Sequence, residues 1–238
     1  MKKLILILII IIILGALQWW FKDPTINVPT NDISFEYIVK YPANSGRSDS
    51  LPMLVALHGN GDNAKNFYET ALDQLNIPVR IILLKGPLSY GSGNAWPSTP
   101  DDFNKYGKAV NEAIELLTSK YPTRGKPILL GFSTGGIMAY YQAVKHGDTY
   151  SYIFPVSGKL SEKMLGNGAP RLGAKVFSFH GKKDNVISIS SGRHAVEVLR
   201  SKGIEVNLTE FKSGHLGIFT DMKSTISGAI EQKIDSLK

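Results

Sequence analysis

Ser133 lies in Gly131-Phe132-Ser133-Thr134-Gly135-Gly136, directly after the apolar run Ile128 to Leu130. A serine at a strand-to-helix turn must adopt a strained backbone conformation to expose its hydroxyl. Its neighbours at minus two and plus two must be small, because strand and helix nearly touch there. Glycine occupies both positions. The competing view is a glycine-rich helix start with Ser133 as N-cap. A serine hydroxyl is a poor nucleophile until a base accepts its proton, and a carboxylate that holds the imidazole supplies the third role. On a parallel α/β sheet these roles follow the chain order serine, acid, histidine. His215, in the turn Ser213-Gly214-His215-Leu216-Gly217 after the last strand-like run, is the candidate base; the alternative is a solvated loop histidine. Asp184, in His180-Gly181-Lys182-Lys183-Asp184 after another apolar run, is the candidate acid, with Asp221 and Glu210 as fallbacks. His58 is read as a buttress of its own loop and not as a second base.

Attack on an ester creates an oxyanion, which two backbone N–H groups can stabilise. One is expected from Thr134, the residue after the nucleophile. The other is expected from Leu57-His58-Gly59-Asn60-Gly61-Asp62, with Asn60 as first candidate and Gly61 as second. Between Lys85 and Pro100 runs a long loop holding Tyr90 and Trp96. Long loops at strand ends are often functional, so these two aromatics are candidates for an apolar substrate wall; aromatics that merely pin the loop are the alternative.

Such residues work only if a scaffold gathers them. Met53 to Leu57, Val79 to Leu84, Ile128 to Leu130, Tyr152 to Val156 and Val176 to Phe179 are unbroken apolar runs, the form of parallel strands covered on both faces. A half-buried first strand is signalled by Ile33, Phe35, Tyr37 and Val39, and a last one by Glu205 to Phe211. Helical stretches fall between them. The clearest, Asp101 to Lys120, repeats Phe103, Tyr106, Val110, Ile114 and Leu117 at three- and four-residue spacing and stops at Tyr121-Pro122. Further helices are expected at Ala64 to Leu75, Thr134 to Lys145, Ser190 to Lys202 and Ile218 to Leu237. This alternation predicts an α/β fold with a mostly parallel sheet flanked by helices. Ligands bind beyond the carboxyl ends of such strands, and the candidate residues follow strand-like runs.

The composition of 238 residues, with 43% hydrophobic and 20% charged residues, suits one catalytic domain, placed at 33–238. The net charge of +7 is dispersed, so no nucleic-acid stripe stands out. No cysteine occurs, which excludes disulfides, thiolate metal sites and a cysteine nucleophile. No metal or cofactor is expected. Residues 1–21 differ sharply from this average. Lys2-Lys3 precede an apolar run from Leu4 to Leu17, followed after Gln18 by Trp19, Trp20 and Phe21. As a helix rising about 1.5 Å per residue, Leu4 to Phe21 would extend roughly 27 Å, close to a bilayer's hydrocarbon thickness. The lysines favour the cytoplasmic side and the tryptophans the opposite headgroup region. The expectation is therefore an uncleaved anchor with the domain extracytoplasmic. A cleaved signal and a secreted domain form the alternative, against which stands the missing small-x-small cleavage pattern near Gly15-Ala16. Residues 22–32, with Pro24 and Pro29, read as a tether.

Taken together, Leu57-His58-Gly59-Asn60-Gly61-Asp62, Gly131-Phe132-Ser133-Thr134-Gly135-Gly136, His180-Gly181-Lys182-Lys183-Asp184 and Gly214-His215 resemble the phospholipase/carboxylesterase group of α/β-hydrolases, which includes the acyl-protein thioesterases. The resemblance spans roughly Leu51 to Phe219. It implies an α/β-hydrolase fold and hydrolysis of carboxylic or thio esters through an acyl-enzyme. In that family the first motif usually reads Leu-His-Gly-Leu-Gly-Asp and the second Gly-Phe-Ser-Gln-Gly-Gly, so this chain departs at Asn60 and Thr134. The expected partner is a small-molecule, lipid or carbohydrate ester. Two other outcomes use the same scaffold: acyl transfer to a carbohydrate or alcohol acceptor, and a membrane-tethered binding protein without turnover.

Overall fold

The computed structural model describes residues 26–43, 45–97 and 99–237. The segment 1–21, read as anchor or signal, and residues 22–25 of the tether lie outside the described residues. Among the described residues no helix is long and apolar enough to cross a membrane.

Ten strands are present among the described residues: β1 (Ile26–Pro29), β2 (Ser34–Lys40), β3 (Met53–Leu57), β4 (Arg80–Leu84), β5 (Leu88–Tyr90), β6 (Gly93–Ala95), β7 (Ile128–Phe132), β8 (Tyr152–Val156), β9 (Lys175–Gly181) and β10 (Val206–Phe211). Eight of them form one sheet in the order β1-β2-β4-β3-β7-β8-β9-β10, and β5 and β6 make a separate hairpin. From β4 to β10 every pairing is parallel. The strands β1 and β2 run antiparallel along one edge.

The apolar runs are buried on both sides because helices cover both faces, and successive residues of a strand point to opposite faces. Met53, Val55 and Leu57 enter one core with Phe103, Val110, Ile114 and Leu117 of α2 (Pro100–Lys120) and Ile137 to Val144 of α3 (Thr134–Lys145). That core also takes Ala195, Val198 and Leu199 of α5 (Ile189–Ser201). Leu54 and Ala56 enter the other core, with Phe67 of α1 (Ala64–Phe67) and Ile226, Ile230 and Ile234 of α7 (Lys223–Asp235). Two further short helices are α4 (Glu162–Leu165) and α6 (Ile218–Asp221).

Local signals explain most boundaries. The α2 helix opens on Pro100, whose fixed φ suits a first turn. It closes at Tyr121, which is extended at φ −111° and ψ 136° because Pro122 follows. Four features differ from expectation. Residues 26–29 of the presumed tether form β1, pairing Ile26 with Tyr37 through Pro29 with Ser34. The loop after Lys85 carries the hairpin β5–β6. The helix at Ala64 widens into a π-helical turn at Tyr68–Leu72. The C-terminal helix is broken at Met222, whose φ of −125° and ψ of 11° separate α6 from α7.

Candidate active site

The turn between β7 and α3 carries Ser133 at φ 54° and ψ −115°, a region that L side chains rarely adopt. The surrounding glycines make this conformation possible. A Cβ on Gly131 would strike the carbonyl of Gly135, one on Gly135 the carbonyls of Leu57 and His58, and one on Gly136 the carbonyl of Val156. The turn is held by two backbone hydrogen bonds, from the Ser133 N–H to Val156 O at 3.0 Å and from the Ile137 N–H to Ser133 O at 2.9 Å. Ser133 occupies the N-cap position of α3, but its side chain makes no capping bond to the helix.

The sequence separates Ser133, Asp184 and His215 by 51 and 31 positions, and the strand ends of β7, β9 and β10 bring them together. His215 Nδ1 lies 2.7 Å from Asp184 Oδ2, and His215 Nε2 lies 3.0 Å from Ser133 Oγ. A carboxylate only accepts, so the His215 proton sits on Nδ1. Nε2 is thereby left as an acceptor for the Ser133 hydroxyl. All three side chains are buried, with 7–8% of each residue exposed. The Phe132 ring packs against the imidazole with centroids 4.9 Å apart.

Asp184 is anchored from both sides. Its Oδ1 accepts the N–H groups of Val186 at 2.9 Å and Ile187 at 2.8 Å. Burial opposes its ionisation, but the hydrogen bond from His215 and those from Ile187 and Val186 outweigh it and hold the carboxyl below its ordinary value. Sequence reasoning assigned no role to His180, which is fully buried with Nε2 3.5 Å from Asp184 Oδ2. That nitrogen also faces the carbonyl of Ile187 at 2.8 Å, so it carries the proton. Burial lowers the His180 pKa despite these acceptors, and the ring is a neutral strut for the Asp184 loop. The four-residue spacing of His180 and Asp184 was the available signal. The fallback acid Glu210 is taken up by Arg193 at 2.7 Å and lies away from the relay.

The other predicted positions separate. Thr134 begins α3, where a first-turn N–H has no intrahelical partner. Among the described residues the Asn60 N–H has no acceptor either, so both N–H groups are left open. Gly61 does not: its N–H is bonded to Asn94 O at 2.9 Å, which removes it from the oxyanion candidates. Trp96 is also reassigned. It is 1% exposed and packs on Phe35 and His58 at 6.1 and 5.9 Å, so it is a core residue and not a substrate wall. Tyr90 stands on the β5–β6 hairpin, 57% exposed, next to Gly61. His58 does buttress its loop. Its Nε2 accepts the Gly86 N–H at 2.9 Å, so Nδ1 is the donor to Gly59 O at 2.7 Å. Among the described residues no group of acidic, histidine or cysteine side chains is arranged to hold a metal ion.

A sequence model of the phospholipase/carboxylesterase family matches residues 43–227. The chain belongs to the phospholipase/carboxylesterase family. It is a carboxylic ester hydrolase by class, with the α/β-hydrolase fold. Solved structures of the same fold include a carboxylesterase from Mesorhizobium loti, 14% identical with a TM-score of 0.68 over 87% of this chain and 97% of that one. A Bacillus cereus carboxylesterase is 17% identical, with a TM-score of 0.64 over 82% and 94%. The Zea mays acyl-protein thioesterase 2 is 20% identical, with a TM-score of 0.62 over 83% and 98%.

Proposed function

We propose that this esterase works through a Ser133–His215–Asp184 triad and a covalent acyl-enzyme. Ser133 Oγ attacks the acyl carbon while its proton passes to His215 Nε2, and Asp184 holds the imidazolium through Nδ1. The tetrahedral oxyanion is received by the N–H groups of Asn60 and Thr134. Collapse breaks the bond to the alcohol or thiol, which leaves with the proton from His215. Water, deprotonated by the same ring, then releases the acid and restores Ser133. The observation that carries this reading is the continuous hydrogen-bonded chain from serine to carboxylate at 3.0 and 2.7 Å.

The test uses the full chain in detergent with a fluorophosphonate probe and a p-nitrophenyl ester. Wild type is labelled, Ser133→Ala is not, and hydrolysis falls by roughly 10⁶-fold in that variant. Equal labelling of the two proteins would falsify the assignment of Ser133.

We further propose that the segment 1–21 anchors the domain outside the cytoplasmic membrane, on the basis of Lys2-Lys3, the apolar run from Leu4 to Leu17, and Trp19-Trp20. Protease added to intact cells should digest the domain. Protection of the domain until the membrane is breached would reverse this topology.

A further inference from the structure

The loop from His58 to Asp62 is pinned at each end by backbone contacts. His58 ties Gly59 to Gly86. Asn94 ties Gly61 and Asp62 to the β5–β6 hairpin through two hydrogen bonds of 2.9 Å each. Neither tie reaches α3, although the proposed oxyanion site needs one donor from this loop and one from the helix. A hydrogen bond between side chains crosses that gap: the Thr134 hydroxyl donates to Asn60 Oδ1 at 3.0 Å. It joins two residues 74 positions apart, and they are the same two whose backbone N–H groups have no acceptor among the described residues. They are also the two positions at which the chain departs from the family's usual Leu-His-Gly-Leu-Gly-Asp and Gly-Phe-Ser-Gln-Gly-Gly. A leucine side chain at position 60 has no acceptor for a donor at 134, so this side-chain bond exists only because of the departure at Asn60.

We propose that the Thr134–Asn60 hydrogen bond is a positioning latch, which sets the separation and aim of the two N–H donors that receive the oxyanion. This rests on the serine-hydrolase reading above and goes beyond it by giving the two side chains a function. Thr134 is almost fully buried, so its hydroxyl is held by packing and acts as the fixed half. Asn60 is exposed, and without its partner it would be free to swing its peptide. A latch of this kind acts where charge develops, so its loss should appear in kcat and not in substrate binding.

Steady-state kinetics on a p-nitrophenyl ester test this with the full chain as wild type, Thr134→Val, Thr134→Ser, Asn60→Leu and the double variant Thr134→Val/Asn60→Leu. Removing an oxyanion donor outright costs about 10²–10³ in kcat, and misaligning one should cost less, about 10-fold. Thr134→Val and Asn60→Leu should each lower kcat by that factor with KM within twofold. The serine variant, which keeps the hydroxyl, should return to within twofold of wild type. The double variant should be no slower than either single one, because both remove the same bond. The latch is overturned if Thr134→Val keeps kcat within twofold of wild type, if serine fails to rescue, if KM alone moves, or if the two losses multiply. Asn60→Leu, at an exposed position, decides the matter should the buried valine prevent folding. Ser133→Ala in the same assay separates the failures: activity surviving there defeats the serine mechanism itself, whereas an inactive Ser133→Ala beside a fully active Thr134→Val defeats the latch alone.

Discussion

Ser133 holds φ 54° without the freedom of a glycine, and its neighbours show why the motif was readable. Close approach of β7, β3 and α3 forces glycine at 131 and 135, and that demand is written into the sequence as a pattern. The same holds for Asp184, just past an apolar run, and for His215, just past the alternating run Glu205 to Phe211, both recognisable as strands. Burial is a different matter. Trp96 sits in a loop among glycines and prolines, and only the tertiary fold shows that Phe35 and His58 close over it. Trp96→Ala should therefore cost about 3–5 kcal/mol of stability, the price of a large core cavity, and leave KM for small esters unchanged in the protein that remains folded. Urea unfolding and steady-state kinetics check the two halves. A rise in KM without loss of stability would restore its role as a substrate wall. Gly61 illustrates a similar limit, since nothing in its motif indicates that Asn94 will claim its N–H.

At the scale of elements, the five central strands were legible because a strand covered on both faces must be apolar throughout. The α3 helix was found at its observed bounds, Thr134–Lys145. The elements that escaped notice are short or sit at edges. β1 contains Pro29 at its end, which an edge strand tolerates because one side of its backbone has no ladder to complete. β5 and β6 have three residues each, too few for an alternating pattern to register. The tight crossing of α3 over β3 makes its own prediction. Gly135→Ala places a methyl group against the carbonyl oxygens of Leu57 and His58, so it should destabilise the protein by about 3 kcal/mol and lower kcat, because the same displacement moves the oxyanion loop. Thermal unfolding and kinetics on the soluble fraction measure both. A variant with wild-type stability would mean that the strand and helix can separate without cost.

At the scale of the whole molecule, three histidines are kept neutral chiefly by burial. His58 and His180 lie below the ordinary imidazole value, and His146 falls to about 4, with Arg171 adding to the effect. In the unfolded chain each binds a proton near pH 6.5. Between that pH and its folded value the unfolded state holds more protons, so stability declines as the medium is acidified. The contribution is complete above about pH 6.5 and drains away toward about 4, the value for His146. The urea midpoint should hold from pH 7.5 to about pH 6.5 and then fall toward pH 5, and His146→Gln should flatten that slope. An unaltered slope would show that the His146 site takes up a proton without disturbing the fold.

The edge pairing of β1 with β2 also governs how far the domain can travel. With Ile26 paired to Tyr37, only residues 22–25 separate the proposed bilayer segment ending at Phe21 from the sheet, and four residues can span at most about 14 Å. An anchor ending at Phe21 would then keep the enzyme in a thin shell next to the lipid, and dissolved esters farther out would have to diffuse to it. Splicing twenty Gly-Ser residues between Thr25 and Ile26 should therefore change turnover of esters fixed at a distance from the membrane and spare that of freely diffusing ones; equal rates on both would show that reach is no constraint.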